Sequence, residues 1–78
     1  MNFEKDKYYL MDRWVQGIKY VIHVISLNSN STMTWSYTCN GNECTITDHT
    51  HLAEQCTLIK EGFNSPEELK AKYPEHFI

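Results

Sequence analysis

Residues 31 to 39, STMTWSYTC, alternate without a break between apolar and small polar side chains. Met33, Trp35, Tyr37 and Cys39 share one parity, and Thr32, Thr34, Ser36 and Thr38 share the other. A period of two over that length marks an antiparallel strand with one face on a core and the other in water. Such a strand is not stable alone, so its neighbours must supply the rest of a sheet. NGNE, residues 40 to 43, reads as the turn that follows, with Asn40-Gly41 suited to positive φ. CTIT then returns as the partner strand. In this register Cys39 and Cys44 flank a four-residue loop and stand opposite each other on the core face.

The remaining segments extend the same sheet. KYYLMDRW, residues 7 to 14, is aromatic-rich and reads as a first strand, with Gly17 marking the turn after it. IKYVIHVISL, residues 18 to 27, is apolar on both parities and dense in β-branched residues, which predicts a central strand buried on both faces. NSNS, residues 28 to 31, is a turn by composition. Leu52 to Ile59 reads as a further short strand. Ser65-Pro66-Glu67-Glu68 is a helix start, with Ser65 as N-cap, Pro66 at the first helical position and Glu68 as the reciprocal partner. Leu69 and Tyr73 fall on one face of that helix, and Pro74 stops it. The expected fold is mainly β (α+β): a small antiparallel sheet or SH3-like barrel of four to five strands with a short C-terminal helix. One domain covers residues 1–78.

Composition narrows the function classes. A net charge of −3 with scattered Lys and Arg argues against a dominant phosphate contact. Glu4, Lys5, Asp6 and Lys7 interrupt any apolar start, so no secretory leader is expected. The longest apolar run, residues 20–25, is far shorter than a bilayer span. Three cysteines leave one unpaired in any internal disulfide scheme, which favours free thiols and a cytoplasmic setting.

The segment CNGNECTITDHTHLAEQC, residues 39 to 56, gathers the ligand chemistry. Cys39, Cys44, His49, His51 and Cys56 carry enough nitrogen and sulfur for a tetrahedral zinc site. Strand parity argues against that use. It turns Cys39 and Cys44 to the core, sends His49 and His51 with Thr45 and Thr47 to the other face, and leaves Cys56 with Leu52 and Leu58. Buried cysteine is a common small hydrophobe, so structural thiols are the favoured reading and no metal or other cofactor is expected. The same parity separates thiol from imidazole, so a Cys–His nucleophile is not expected either. His23, the polar exception in the central strand, reads as a packed histidine rather than a ligand.

The opening FEKDKYYLM, the run YVIHVISL and the later EQCTLIKEGF before a terminal helix resemble small SH3-like or Tudor-like barrel proteins of bacteriophage genomes. Proteins of that kind often inhibit a host enzyme or defence system, and anti-CRISPR proteins are among them. The resemblance implies a small non-catalytic protein that binds and inhibits or modulates a host protein or ribonucleoprotein complex in the host cytoplasm. It would need aromatic and charged anchors rather than a reaction centre. Tyr8, Arg13, Trp14, Trp35, Glu43 and Asp48 are the candidate anchors. Two other readings compete. A nucleic-acid-binding barrel would expose aromatics beside Arg13, Lys19 and Lys60. A small zinc domain would need Cys39, Cys44 and His49 or His51 to converge. No membrane contact is expected, and the chain is either a monomer or a homodimer paired through an edge strand.

Overall fold

The alternating residues 32–39 form the third strand of an antiparallel meander. The computed structural model describes residues 2–12 and 19–77, with the backbone alone for Cys39. Its strands are β1 (Tyr8–Met11), β2 (Tyr20–Leu27), β3 (Thr32–Cys39) and β4 (Asn42–His49). They pair in the order β1-β2-β3-β4, so the fold is mainly β and the four-stranded sheet is open, with β1 and β4 at opposite edges.

Two hairpin turns set the register. Asn40 and Gly41 both take positive φ, at 52° and 80°, the left-handed pair that a two-residue hairpin needs. The loop is therefore two residues, not four, and Asn42 already belongs to β4. Cys39 consequently has Asn42 as its Cα partner, and Cys44 has Tyr37. The expected Cys39–Cys44 pairing is replaced because the tighter turn moves every later residue two places along β3. The β2–β3 turn is held by polar side chains: Asn28 Nδ2 donates to Thr32 Oγ1 at 3.1 Å and to Thr34 Oγ1 at 3.3 Å.

Each face of the sheet has its own core. On one face Tyr9, Met11, Ile22, Val24, Met33 and Trp35 pack with Phe3 and with Ala53 of a crossing helix. On the other, Leu10 meets Ile59, Phe63 and Leu69, with Val21 and Tyr73 alongside. Strand β1 is thus buried on both sides, which its aromatic and aliphatic run permits. A bulge between Val24 and Ser26 shifts the β2 register, and beyond it Ile25 and Leu27 are exposed.

Helix α1 (Thr50–Cys56) stands where a fifth strand was expected. It starts with no side-chain cap at His49 and has no acidic residue in its first turn, so packing holds it: Ala53 is fully buried under the sheet. The chain then returns along the outer edge of β1. Tyr8 and Phe63 exchange backbone hydrogen bonds at 2.8 and 3.0 Å, and Leu58 N–H donates to Leu10 O at 2.9 Å. That return covers the β1 edge.

Helix α2 (Pro66–Lys72) follows its sequence signals closely. Ser65 Oγ accepts the Glu68 N–H at 3.2 Å. Glu68 Oε2 reaches back to the N–H of Asn64 at 3.1 Å, one residue before the cap. Glu67 and Glu68 open the helix and Lys70 and Lys72 close it, complementing the dipole. Leu69 is its fully buried anchor. It is not the last element, because a 3₁₀ turn, Pro74–Phe77, follows. Among the described residues no helix is long and apolar enough to cross a membrane.

Candidate functional site

Register places one set of side chains on the α2 side of the sheet. Tyr8 pairs with His23, His23 with Ser36, and Thr38 with Glu43. Cross-strand partners point to the same face, so four strands contribute to a single polar surface. Helix α2 covers only the β1 side of it, through Leu69 on Leu10. The result is a groove of about 390 Å³ between the start of α2 and the uncovered strands. Its volume falls within the range of small-molecule and peptide-anchor sites, about 300–1,000 Å³.

The groove has an aromatic floor and charged walls. Tyr8 and His23 stack face to face, centroids 4.5 Å apart and planes 11° apart. His23 Nε2 lies 3.8 Å from Asp6 Oδ1, longer than a hydrogen bond, with Asp6 largely in water. Ser36 is buried beside them. Tyr20 and Tyr37 also border the groove, but register turns their rings, edge to face at 5.3 Å, toward the α1-side core with Met11 and Ile22. Lys19 and Lys70 bring positive charge to the lining, and Glu43 brings negative charge. Both lysines are tied to the C-terminal turn. Lys19 Nζ lies 3.2 Å from His76 Nδ1 and donates to His76 O at 3.4 Å. Lys70 Nζ sits 5.6 Å from the Phe77 ring centre. These contacts orient the charges without burying them.

The candidate anchors separate. Tyr8 and Glu43 line the groove. Asp48 is half-buried on the opposite face of β4, where its carboxylate accepts the His49 N–H at 2.9 Å. Trp35 is fully buried in the core beneath α1. The hydrophobic face it shares with Met33 is the one that α1 covers. Arg13 and Trp14 lie outside the described residues. Sequence reasoning missed His23, Ser36, Lys19 and Lys70 as members of one site.

The ligand-rich segment is broken up by α1. His51 is helical rather than on a strand with His49, and the two rings lie 5.8 Å apart. Cys44 is half-buried, and Cys56 packs against the core under the sheet. Among the described residues no three His, Cys, Asp or Glu side chains converge on one point. The Cys39 side chain lies outside what is described. No family model matches the chain, and no curated protein or solved structure does.

Proposed function

We propose that this chain is a small non-catalytic binding domain that uses the α2-side groove to hold a macromolecular partner and so inhibit or modulate it. The observation that carries this reading is the groove itself. Stacked Tyr8 and His23, Ser36 and charges of both signs converge there from four strands and a helix. Aromatic anchors beside oriented charges are what recognition surfaces concentrate. The scaffold beneath is packed on both sides of β1, so the surface is pre-organised and little ordering cost remains for binding. The host setting rests on the sequence resemblance alone, which implies action on a host protein or ribonucleoprotein complex in the cytoplasm.

One observation favours a second reading. Lys19 and Lys70 lie in the same lining as the stacked Tyr8 and His23 rings, the combination that stacks single-stranded nucleic acid bases and tracks their phosphates. Affinity capture from bacterial lysate, with and without nuclease, separates the two. Wild type is compared with Tyr8→Ala/Lys70→Glu, a variant checked for intact folding by circular dichroism. A stoichiometric protein complex that survives nuclease and is lost with the variant supports the first reading. Nuclease-sensitive capture with steep salt dependence replaces it with the second. Capture unaffected by the variant removes the groove from either role.

A further inference from the structure

The two edges of the sheet are treated differently. The outer side of β1 is covered by residues 57–63, which bridge to Tyr8 and Met11. Among the described residues strand β4 has one neighbour in the sheet, β3. It is eight residues long, carries no Pro, Lys or Arg, and runs beside β3 with no register shift. Of the devices by which natural sheets blunt such an edge, β4 carries one, a charge on the core-side face at Asp48, and that carboxylate is engaged by the His49 N–H.

Backbone alternation shows which groups point outward. In an antiparallel ladder closed by a two-residue turn, Cys39 and Asn42 form the first hydrogen-bonded pair, and bonded pairs then alternate. Residues 42, 44, 46 and 48 therefore bond to β3, and 43, 45, 47 and 49 present their N–H and C=O to the outside. The His49 N–H confirms the phase, because it is taken by its neighbour's carboxylate, Asp48 Oδ1, rather than by β3.

We infer that β4 pairs antiparallel with β4 of a second copy about a two-fold axis at Ile46, giving one continuous eight-stranded sheet. The sequence of the edge selects the second copy as occupant because it is complementary to itself in this register. Glu43 falls opposite His49 of the second copy, twice by symmetry, and Thr45 opposite Thr47. Ile46 meets Ile46 across the axis on the core face, and Cys44 meets Asp48. Carboxylate–imidazole, Thr–Thr and β-branched pairs are polar and packing cross-strand contacts of the kind that stabilise sheets. A shift that puts Thr45 on the axis sets Glu43 against Thr47 and loses both Glu–His pairs. A shift by a single residue inverts one sheet face against the other. This interface is distinct from the groove, and it does not depend on the groove's having a partner.

Sedimentation of the purified chain across a concentration series reads the assembly directly, and it is expected to show a monomer–dimer equilibrium. Thr45→Pro removes an outward N–H that β3 does not use, so the fold is expected to survive and the dimer to disappear. Should that variant unfold, Thr45→Lys/Thr47→Lys serves instead. It sets like charges opposite each other across the axis and is expected to weaken dimerisation by at least about tenfold. Oxidation of Ile46→Cys, with the joined thiols mapped by mass spectrometry, fixes the register. The expected link runs from position 46 of one copy to position 46 of the other. A wild-type chain that is monomeric throughout, a dimer indifferent to both edge variants, or a link in another register overturns the inference.

Discussion

A Cβ on Gly62 would lie 2.8 Å from Oη of Tyr9 and 2.9 Å from its Cζ, so the chain passes the phenol at a distance only glycine allows. The ring has nowhere to retreat. Its oxygen accepts the Glu4 N–H at 2.9 Å, and its face meets Phe3 edge-on at 4.9 Å. Gly62→Ala is therefore expected to destabilise the fold by about 1–3 kcal/mol, the range for overpacking a filled site. Tyr9→Phe removes the nearest obstructing atom, so the alanine should cost less in that background. Urea unfolding of the two single variants and the double variant measures the difference, and strict additivity would show that the two residues do not press on one another.

The same phenol makes stability depend on alkaline pH. Burial raises the Tyr9 pKa above the ordinary value of about 10, the Glu4 N–H partly offsets this, and the Glu4 carboxylate adds to it. The unfolded phenol thus ionises before the folded one. The stabilisation is complete below about pH 10 and is lost as pH rises through the folded pKa. Thermal midpoints of wild type should fall through that window more steeply than those of Tyr9→Phe, once general alkaline effects are subtracted. Equal slopes would remove Tyr9 as the source.

Ser65→Ala is expected to cost about 0.5–2 kcal/mol, since Ser65 Oγ is what satisfies the Glu68 N–H at the start of α2. Leu69 on that helix closes the second core over Leu10, so the loss should appear in global unfolding and not only as fraying. Ser65→Asp keeps an acceptor at the helix start and should retain most of the stability. Chemical denaturation of the three proteins reads the order directly.

These local signals were the part of the fold most legible in the sequence. The alternation of Met33, Trp35 and Tyr37 placed β3 on its correct face, and the Ser65-Pro66-Glu68 cluster placed α2, because each is written in adjacent residues. Helix α1 was not legible. Thr50–Cys56 lacks a capping side chain and an acidic first turn, and Thr57 and Ile59 beyond it favour a strand by propensity. Burial of Ala53 against the sheet decides the matter, and that contact is tertiary. The hairpin was read from Asn40-Gly41, but its length was not, and two residues of slip exchanged Cys39 for Tyr37 as the neighbour of Cys44. The groove was least legible of all. Tyr8, His23, Ser36, Glu43 and Lys70 meet only through strand register and the docking of α2, and no spacing in the chain announces that.

Gly41 and Gly62 resist alanine for different reasons, which a second substitution exposes. No atom lies within 4 Å of a Cβ built on Gly41, but its φ is 80°. The cost of Gly41→Ala is therefore conformational, about 1–2 kcal/mol for an L-residue held left-handed. Gly41→Asn, a residue that tolerates this region, should recover much of it. At position 62 asparagine should be worse than alanine, because there the obstacle is space. A matched unfolding series at both sites tests the contrast, and the same rank order at both would refute it.

Trp35 provides the last test, because it separates the core from the recognition surface. Its side chain is fully buried with Met33 and Ala53 beneath α1, whereas Tyr8 is half-buried in the groove lining. Trp35→Ala is expected to cost about 3–5 kcal/mol, a large share of the 5–15 kcal/mol that stabilises a typical domain. Trp35→Phe leaves a smaller void and should stay folded at room temperature. Binding per folded molecule should then match wild type for Trp35→Phe and fall for Tyr8→Ala. The measurement is capture or titration with the amount of folded protein fixed by circular dichroism. If Trp35→Phe lowered binding at constant folded fraction, the contact surface would have to lie on the α1 side of the sheet. The groove would then lose its claim to the partner.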